Sequence, residues 1–222
     1  MSFITQAFQH GGIWMYAIMG VQIVSLAIIA ERVYALYLKR SVGQKRLAAH
    51  FEDDIKRGNI EQAQNKARSM AQSQALGSIA AAGMQAALNM GGKEEIHARM
   101  EEMVNVENAK LEKRTALLGM IGNVATLIGL LGTITGMIKS FSAVGMASAA
   151  EKATLLSSGI SEAMNCTAYG LIVAIPALVL HSVLTNRTNE LQEDLNQAST
   201  KVLNWLSYNF DSVPRSSRKK SV

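Results

Sequence analysis

The stretch AMNCTAYGLIVAIPALVLHSVLTN, Ala163 to Asn186, runs for 24 residues without Asp, Glu, Lys or Arg. A transmembrane helix needs about 20 mostly apolar residues, so this run is long enough to cross a bilayer. Two more charge-free runs lie upstream, Ala116 to Ile138 with 23 residues and Ile13 to Ala30 with 18. Tyr34, Leu36 and Leu38 extend the apolar character of the shortest run beyond Glu31 and Arg32. Buried helices of a soluble bundle are the competing reading, but three such runs in 222 residues favour spans. The chain is 49% hydrophobic and only 18% charged, against about 25% charged in soluble domains. All its charges lie outside the three runs, so the rest of the chain is ordinarily charged. This composition excludes a disordered tail-like chain. Two prolines, seventeen glycines and one cysteine exclude collagen-like, Pro-rich and disulfide-framed architectures.

The basic residues set an orientation by the positive-inside rule. None precedes the first run, fourteen lie between Glu31 and Thr115, and six follow Thr185. Only Lys139 and Lys152 bracket the connection between the second and third runs. The N-terminus and that connection are therefore expected outside, and the middle segment and the tail inside. The net charge of +5 then needs no nucleic acid. Residues 1–12 lack the basic n-region of a signal peptide, so the first span is expected to be retained.

The middle segment reads as helix. Asn59 is placed to cap a helix from Ile60, with Glu61 in its first turn. Gly91-Gly92 is a break after the Ala- and Met-rich Ser73 to Met90. Glu95 and Arg99 are spaced to pair at i,i+4. No proline interrupts Lys93 to Phe141, which predicts one continuous helix of about 70 Å entering the second span. Asn189 to Phe210 predicts another helix, either bundled or a solvated stalk. Pro214 to Val222 reads as a basic disordered tail.

Within the second run, Ala125, Gly129, Gly132 and Gly136 fall on one helix face and allow close helix approach. Asn123, Thr126 and Thr133 form a polar arc beside it, read either as helix glue or as pore lining. Glu162 stands at the edge of the third span. A carboxylate there either reaches headgroups or serves an ion path. Thr167, five residues on, can continue a polar track. Pro176 removes the amide that would bond the carbonyl of Ile172, which either kinks the helix for packing or frees an acceptor. The four histidines show no paired-ligand spacing, and no Walker A or GxSxG motif occurs, so neither an enzyme nor a metal site is indicated. Cys166 reads as a small packing residue.

GGIWMYAIMGVQIVSLAIIAERVYAL, Gly11 to Leu36, resembles the first span of the ExbB/TolQ/MotA-type proton channel family, with Glu31-Arg32 at the family's ER pair. LIGLLGTITGMIKSF, Leu127 to Phe141, looks like GLLGTVxGxxxxF. GISEAMNCTAYGLIVAIPALV, Gly159 to Val179, looks like GIxEALxxTAxGLxxAIPA. The order and spacing match over nearly the whole chain, and three spans resemble the ExbB and TolQ branches. The resemblance implies a homopentameric ring around two copies of a single-span ExbD/TolR/MotB-like partner with a transmembrane Asp. It makes Thr133 and Thr167 pore threonines, Glu162 the third-span glutamate and Pro176 the proline of AIPA. Ala125-Thr126 departs from the Ala-Pro of many members and adds a hydroxyl to the second span. Lys139 is expected to meet either the partner or headgroups.

The expected fold is therefore all-α, an inner-membrane protein whose second and third spans extend into long cytoplasmic helices. Its expected parts are a periplasmic N-terminus 1–12, spans 13–38, 116–141 and 159–186, a cytoplasmic region 39–115, a periplasmic loop 142–158, and a cytoplasmic helix with basic tail 187–222. The expected function is the ion-channel subunit of a proton-driven motor, without a cofactor beyond the translocated proton. Ion pathway residues are Thr133, Thr167, Glu162, Thr126 and Asn123, packing residues Gly129, Gly132 and Gly136, and the kink residue Pro176. Sodium as the coupling ion, a non-conducting scaffold and a secondary transporter are the rival readings. The transporter would show repeated spans, which this chain lacks.

Overall fold

In the computed structural model, residues 12–38, 43–146 and 148–211 are described. The periplasmic assignment of 1–12, apart from Gly12, and the disordered tail expected at 214–222 lie outside them. Seven α-helices form among the described residues: α1 Gly12–Val33, α2 Gln44–Lys56, α3 Ile60–Ala71, α4 Ala75–Leu88, α5 Lys93–Glu112, α6 Thr115–Met146 and α7 Ala149–Asp211. A π-helical turn, Tyr34–Leu38, follows α1. Three helical stretches are long and apolar enough to cross a membrane.

The chain forms two compact units. The first comprises Met1–Tyr34 and Arg114–Thr185, and holds the first two charge-free runs and the third as far as Thr185. Its most apolar windows are only 17%, 28% and 28% buried, so its outer surface is apolar. Leu127, Ile138, Met164, Ile172 and Val179 are among the exposed side chains. Such a surface requires lipid or further protein. Inside this unit Ile18, Ala125, Cys166, Val173 and Ala174 form the core, with Trp14 and Tyr169 packed on it.

The second unit comprises Ala35–Lys113 and Asn186–Val222. Phe51, Ile55, Leu76, Ile79, Met84, Ile96 and Leu206 are fully buried, each worth about 1.5–3 kcal/mol. Gly77 lets α4 meet α3, because a Cβ there would lie 2.6 Å from the Ala71 amide nitrogen. Asp194 of α7 accepts the amide of Gln44 at 2.7 Å and lies 3.6 Å from the Lys45 ammonium. A carboxylate thus satisfies the positive N-terminus of α2. Leu191, Leu195, Val202 and Leu206 are all buried, so the end of α7 is a packed helix and not a solvated stalk.

Local expectations fare unevenly. The Gly91-Gly92 break is present, between α4 and α5. A helix starts at Ile60, but Asn59 makes no side-chain cap bond. Arg99 pairs with Glu102 at 3.3 Å and not with Glu95. The continuous helix expected from Lys93 to Phe141 is two helices. Lys113 adopts φ −47 and ψ 129, and Arg114 the left-handed φ 66. That pair makes a tight turn, and the guanidinium of Arg114 is engaged by the Glu31 carboxylate. No glycine or proline marks the spot. The segment 142–158 is mostly helical, because α6 ends at Met146 and α7 begins at Ala149.

Candidate functional site

The site is the antiparallel seam between α6 and α7, and small residues create it. A Cβ on Gly129 would lie 3.3 Å from Thr167 Cα and 3.4 Å from Gly170 Cα. One on Gly170 would lie 2.9 Å from the Ala125 carbonyl. Further along α6, Gly132 faces Cys166, Gly136 faces Ala163, and Gly159 faces Ser140. Toward the basic end, Gly122 faces Leu178 and Gly119 faces His181. Numbering rises along α6 as it falls along α7. Without side chains at these points the backbones approach closely, and packing replaces the hydrophobic drive that lipid does not supply.

This approach brings Thr167 to α6. Its Oγ1 donates to the carbonyl of Gly129 at 3.0 Å. In helical register that carbonyl also accepts the amide of Thr133. The two threonines thus meet at one oxygen. Thr133 itself, half-buried, donates its hydroxyl to Leu130 O at 2.6 Å. Thr126 donates to Gly122 O at 3.2 Å and is exposed on this chain. Both hydroxyls therefore spend their protons on their own helix and keep lone pairs free to accept. Asn123 is exposed, and its side-chain amide has no partner among the described residues.

Glu162 lies elsewhere on α7. Its Oε2 is 3.8 Å from the Lys139 ammonium. A Cβ on Gly12 would run into its carboxylate, so Glu162 rests against the first turn of α1. Five residues separate it from Thr167, which is about 140° around the helix and about 7.5 Å along it. Within one chain the two do not form a single track. Lys139 is 77% exposed and Glu162 27%, so the pair is loosely held.

Pro176 sits inside α7, which runs unbroken through it, on the exposed face. Two contacts went unread in the sequence. Tyr169 donates its hydroxyl to Gln22 Oε1, tying α7 to α1. Ser140, buried, donates to Gly136 O at 2.9 Å where Gly159 meets it. Gln22 as a lone amide in an apolar run was the available signal for the first.

The seam coincides with a recognised protein family. A family model described as the MotA/TolQ/ExbB proton channel family matches residues 71–197. The chain belongs to that family. This MotA/TolQ/ExbB chain is 32% identical over 185 residues to the ExbB-like protein 1 of Synechocystis sp., covering 81% of this chain and 69% of that one. It is 32% identical over 121 residues to the biopolymer transport protein ExbB of Pseudomonas putida, covering 54% and 36%. Against the Tol-Pal system protein TolQ of Haemophilus influenzae it is 38% identical over 97 residues, covering 43% and 41%. It thus spans well under two thirds of the length of the last two. The solved C. jejuni MotAB structure superposes with a TM-score of 0.62 at 12% identity, covering 90% of this chain and 79% of that one, and shares the fold.

Proposed function

We propose that the chain is the ion-channel-forming subunit of an inner-membrane motor driven by the proton-motive force. Membership of a proton channel family supports the ion. Five copies enclose a pore lined by α6 and α7, and two single-span ExbD/TolR/MotB-like helices stand inside it. The N-terminus lies in the periplasm, and 39–115 and 187–222 lie in the cytoplasm. The weakly buried spans fit a ring, since most of their apolar surface needs a partner or lipid.

The observation that carries this reading is the Thr167–Gly129 bond across the seam. It joins the two motifs that resemble the family's pore signatures, and it ties Thr167 to the helix that carries the polar arc of Asn123, Thr126 and Thr133. Hydroxyls with free lone pairs can hold water in a file along α6. Protons enter near Glu162, pass the threonines and are taken up by the partner's aspartate. Neutralising that carboxylate releases it from its polar contact in a low-dielectric pore. Repetition around five unequal contacts moves one part against the other.

The test is proton flux into vesicles carrying the chain with and without its single-span partner. Flux that needs the partner, and that Thr167→Ala or Glu162→Ala removes from an assembled complex, supports the reading. Flux that follows sodium when the ions are exchanged replaces the proton with sodium. An assembled complex that passes neither ion is a scaffold, and the reading falls.

A further inference from the structure

One titratable side chain inside the spans takes no part in the pathway above. His181 lies within the charge-free run 163–186 and is half-buried. Its ring stands on Gly119, where a Cβ would meet Nε2 at 3.0 Å, Cδ2 at 3.1 Å and Cε1 at 3.2 Å. Glycine at 119 is therefore what leaves a seat for the imidazole. The ring has no hydrogen-bond or ion-pair partner among the described residues. Polar ring nitrogens at this depth need water or a neighbouring molecule.

The seat belongs to the polar arc of α6. At about 100° per residue, Gly119, Asn123, Thr126 and Thr133 fall within about 80° of one another. The arc therefore does not end at Asn123. One turn further toward the basic end its floor is bare backbone at Gly119, and α7 supplies the polar atoms as an imidazole. No titratable side chain occurs on α6 from Thr115 to Ile138. At this end α1 contributes Glu31, engaged by Arg114, and the buried Arg32. Imidazole is the side chain whose ordinary titration falls near neutral pH.

We propose that His181 is the proton-relay residue at the basic end of the pathway, an inference that rests on the chain conducting protons. One ring nitrogen takes a proton from water held along Asn123 and Thr126. The other nitrogen then releases its proton to water beyond Gly119. The neutral ring returns to its first tautomer by turning or by exchange with water, so one proton moves per cycle and nothing else is consumed.

The experiment uses vesicles holding the chain with its partner, with flux measured from mildly acidic to mildly alkaline internal pH. His181→Gln should lower flux by about tenfold or more and flatten its pH profile. Added imidazole should restore flux to His181→Ala, which a merely structural role would not allow. Wild-type flux and pH profile in His181→Gln overturn the relay, as does an assembled His181→Ala complex that imidazole does not rescue. Should both variants fail to assemble, nitrogen NMR of the labelled wild-type complex decides. A His181 ring that holds one protonation state throughout that pH range overturns the proposal. Wild-type vesicles that pass no protons instead overturn the proton-channel reading, and the relay with it.

Discussion

The hydroxyl of Thr167 donates to the carbonyl of Gly129 at 3.0 Å, where glycines of α6 and α7 let the two backbones meet. A donor that reaches across a helix interface ties packing to the proposed pathway. Thr167→Val keeps the shape and removes the donor. It should cost about 1 kcal/mol of stability while lowering partner-dependent proton flux by about tenfold or more. Thr167→Ser should keep most of the flux. Equal flux in wild type and Thr167→Val would remove this hydroxyl from the path.

The seam itself tolerates little. A Cβ on Gly170 would lie 2.9 Å from a backbone carbonyl and 3.1 Å from Gly129 Cα, neither of which can swing aside. Gly170→Ala should destabilise by about 1–3 kcal/mol through overpacking. Gly20, on α1, has nothing within 4 Å of the same position. Gly20→Ala should be neutral or stabilising by up to about 1 kcal/mol, because alanine loses less backbone entropy in a helix. Thermal unfolding in detergent compares the two, and similar midpoints would refute the close approach.

Lys139 and Glu162 make a pair of unequal members. Their 3.8 Å separation and the 77% exposure of Lys139 leave the attraction heavily screened. Lys139→Gln should cost less than about 1 kcal/mol of stability and retain most of the flux. Glu162→Gln should lose the flux. A loss as complete from Lys139→Gln as from Glu162→Gln would show that the ammonium, and not the carboxylate alone, carries the function.

Arg114 pays for its turn in backbone strain. Its φ of 66 lies in the left-handed region, which costs a residue with a Cβ about 1–2 kcal/mol. Arg114→Gly removes that cost along with the Glu31 contact, whereas Arg114→Ala loses the contact and keeps the strain. Arg114→Gly should therefore be the more stable of the two by about 1 kcal/mol. Chemical unfolding of the pair in one detergent measures the order, and the reverse order would contradict the turn.

Much of this was legible along the chain. The charge-free runs located the three helical stretches long and apolar enough to cross a membrane, and the spacing of Gly129, Gly132 and Gly136 marked the face that α7 occupies. Both signals are local and periodic. The break at Arg114 was not legible, because no local glycine or proline marks it and the ion-pair partner Glu31 lies far away in sequence. The direction of Glu162 was hidden for the same reason, since Lys139 and the first turn of α1 decide it. Spacing along α7 could say that Glu162 and Thr167 differ in azimuth, but not which neighbour each one meets.

The start of α7 should respond to pH. Ser148 precedes Ala149, and Glu151 stands three residues on, the spacing of a capping box. The Ser148 hydroxyl donates to Glu151 Oε2 at 2.7 Å and the Ser148 amide at 3.3 Å. These two donors, the hydroxyl first, hold the Glu151 carboxyl below the usual carboxylate range. A carboxyl lowered in the folded state stabilises the turn fully above its unfolded titration, and that contribution is lost as pH falls through the lowered value. Amides of Lys152 to Leu155 should therefore exchange with solvent more readily, relative to intrinsic rates, once pH drops below the carboxylate range. Ser148→Ala should raise their exchange at neutral pH and weaken the acid response. Protection that stays constant into acid in the wild type would show that this pair does not hold the helix end.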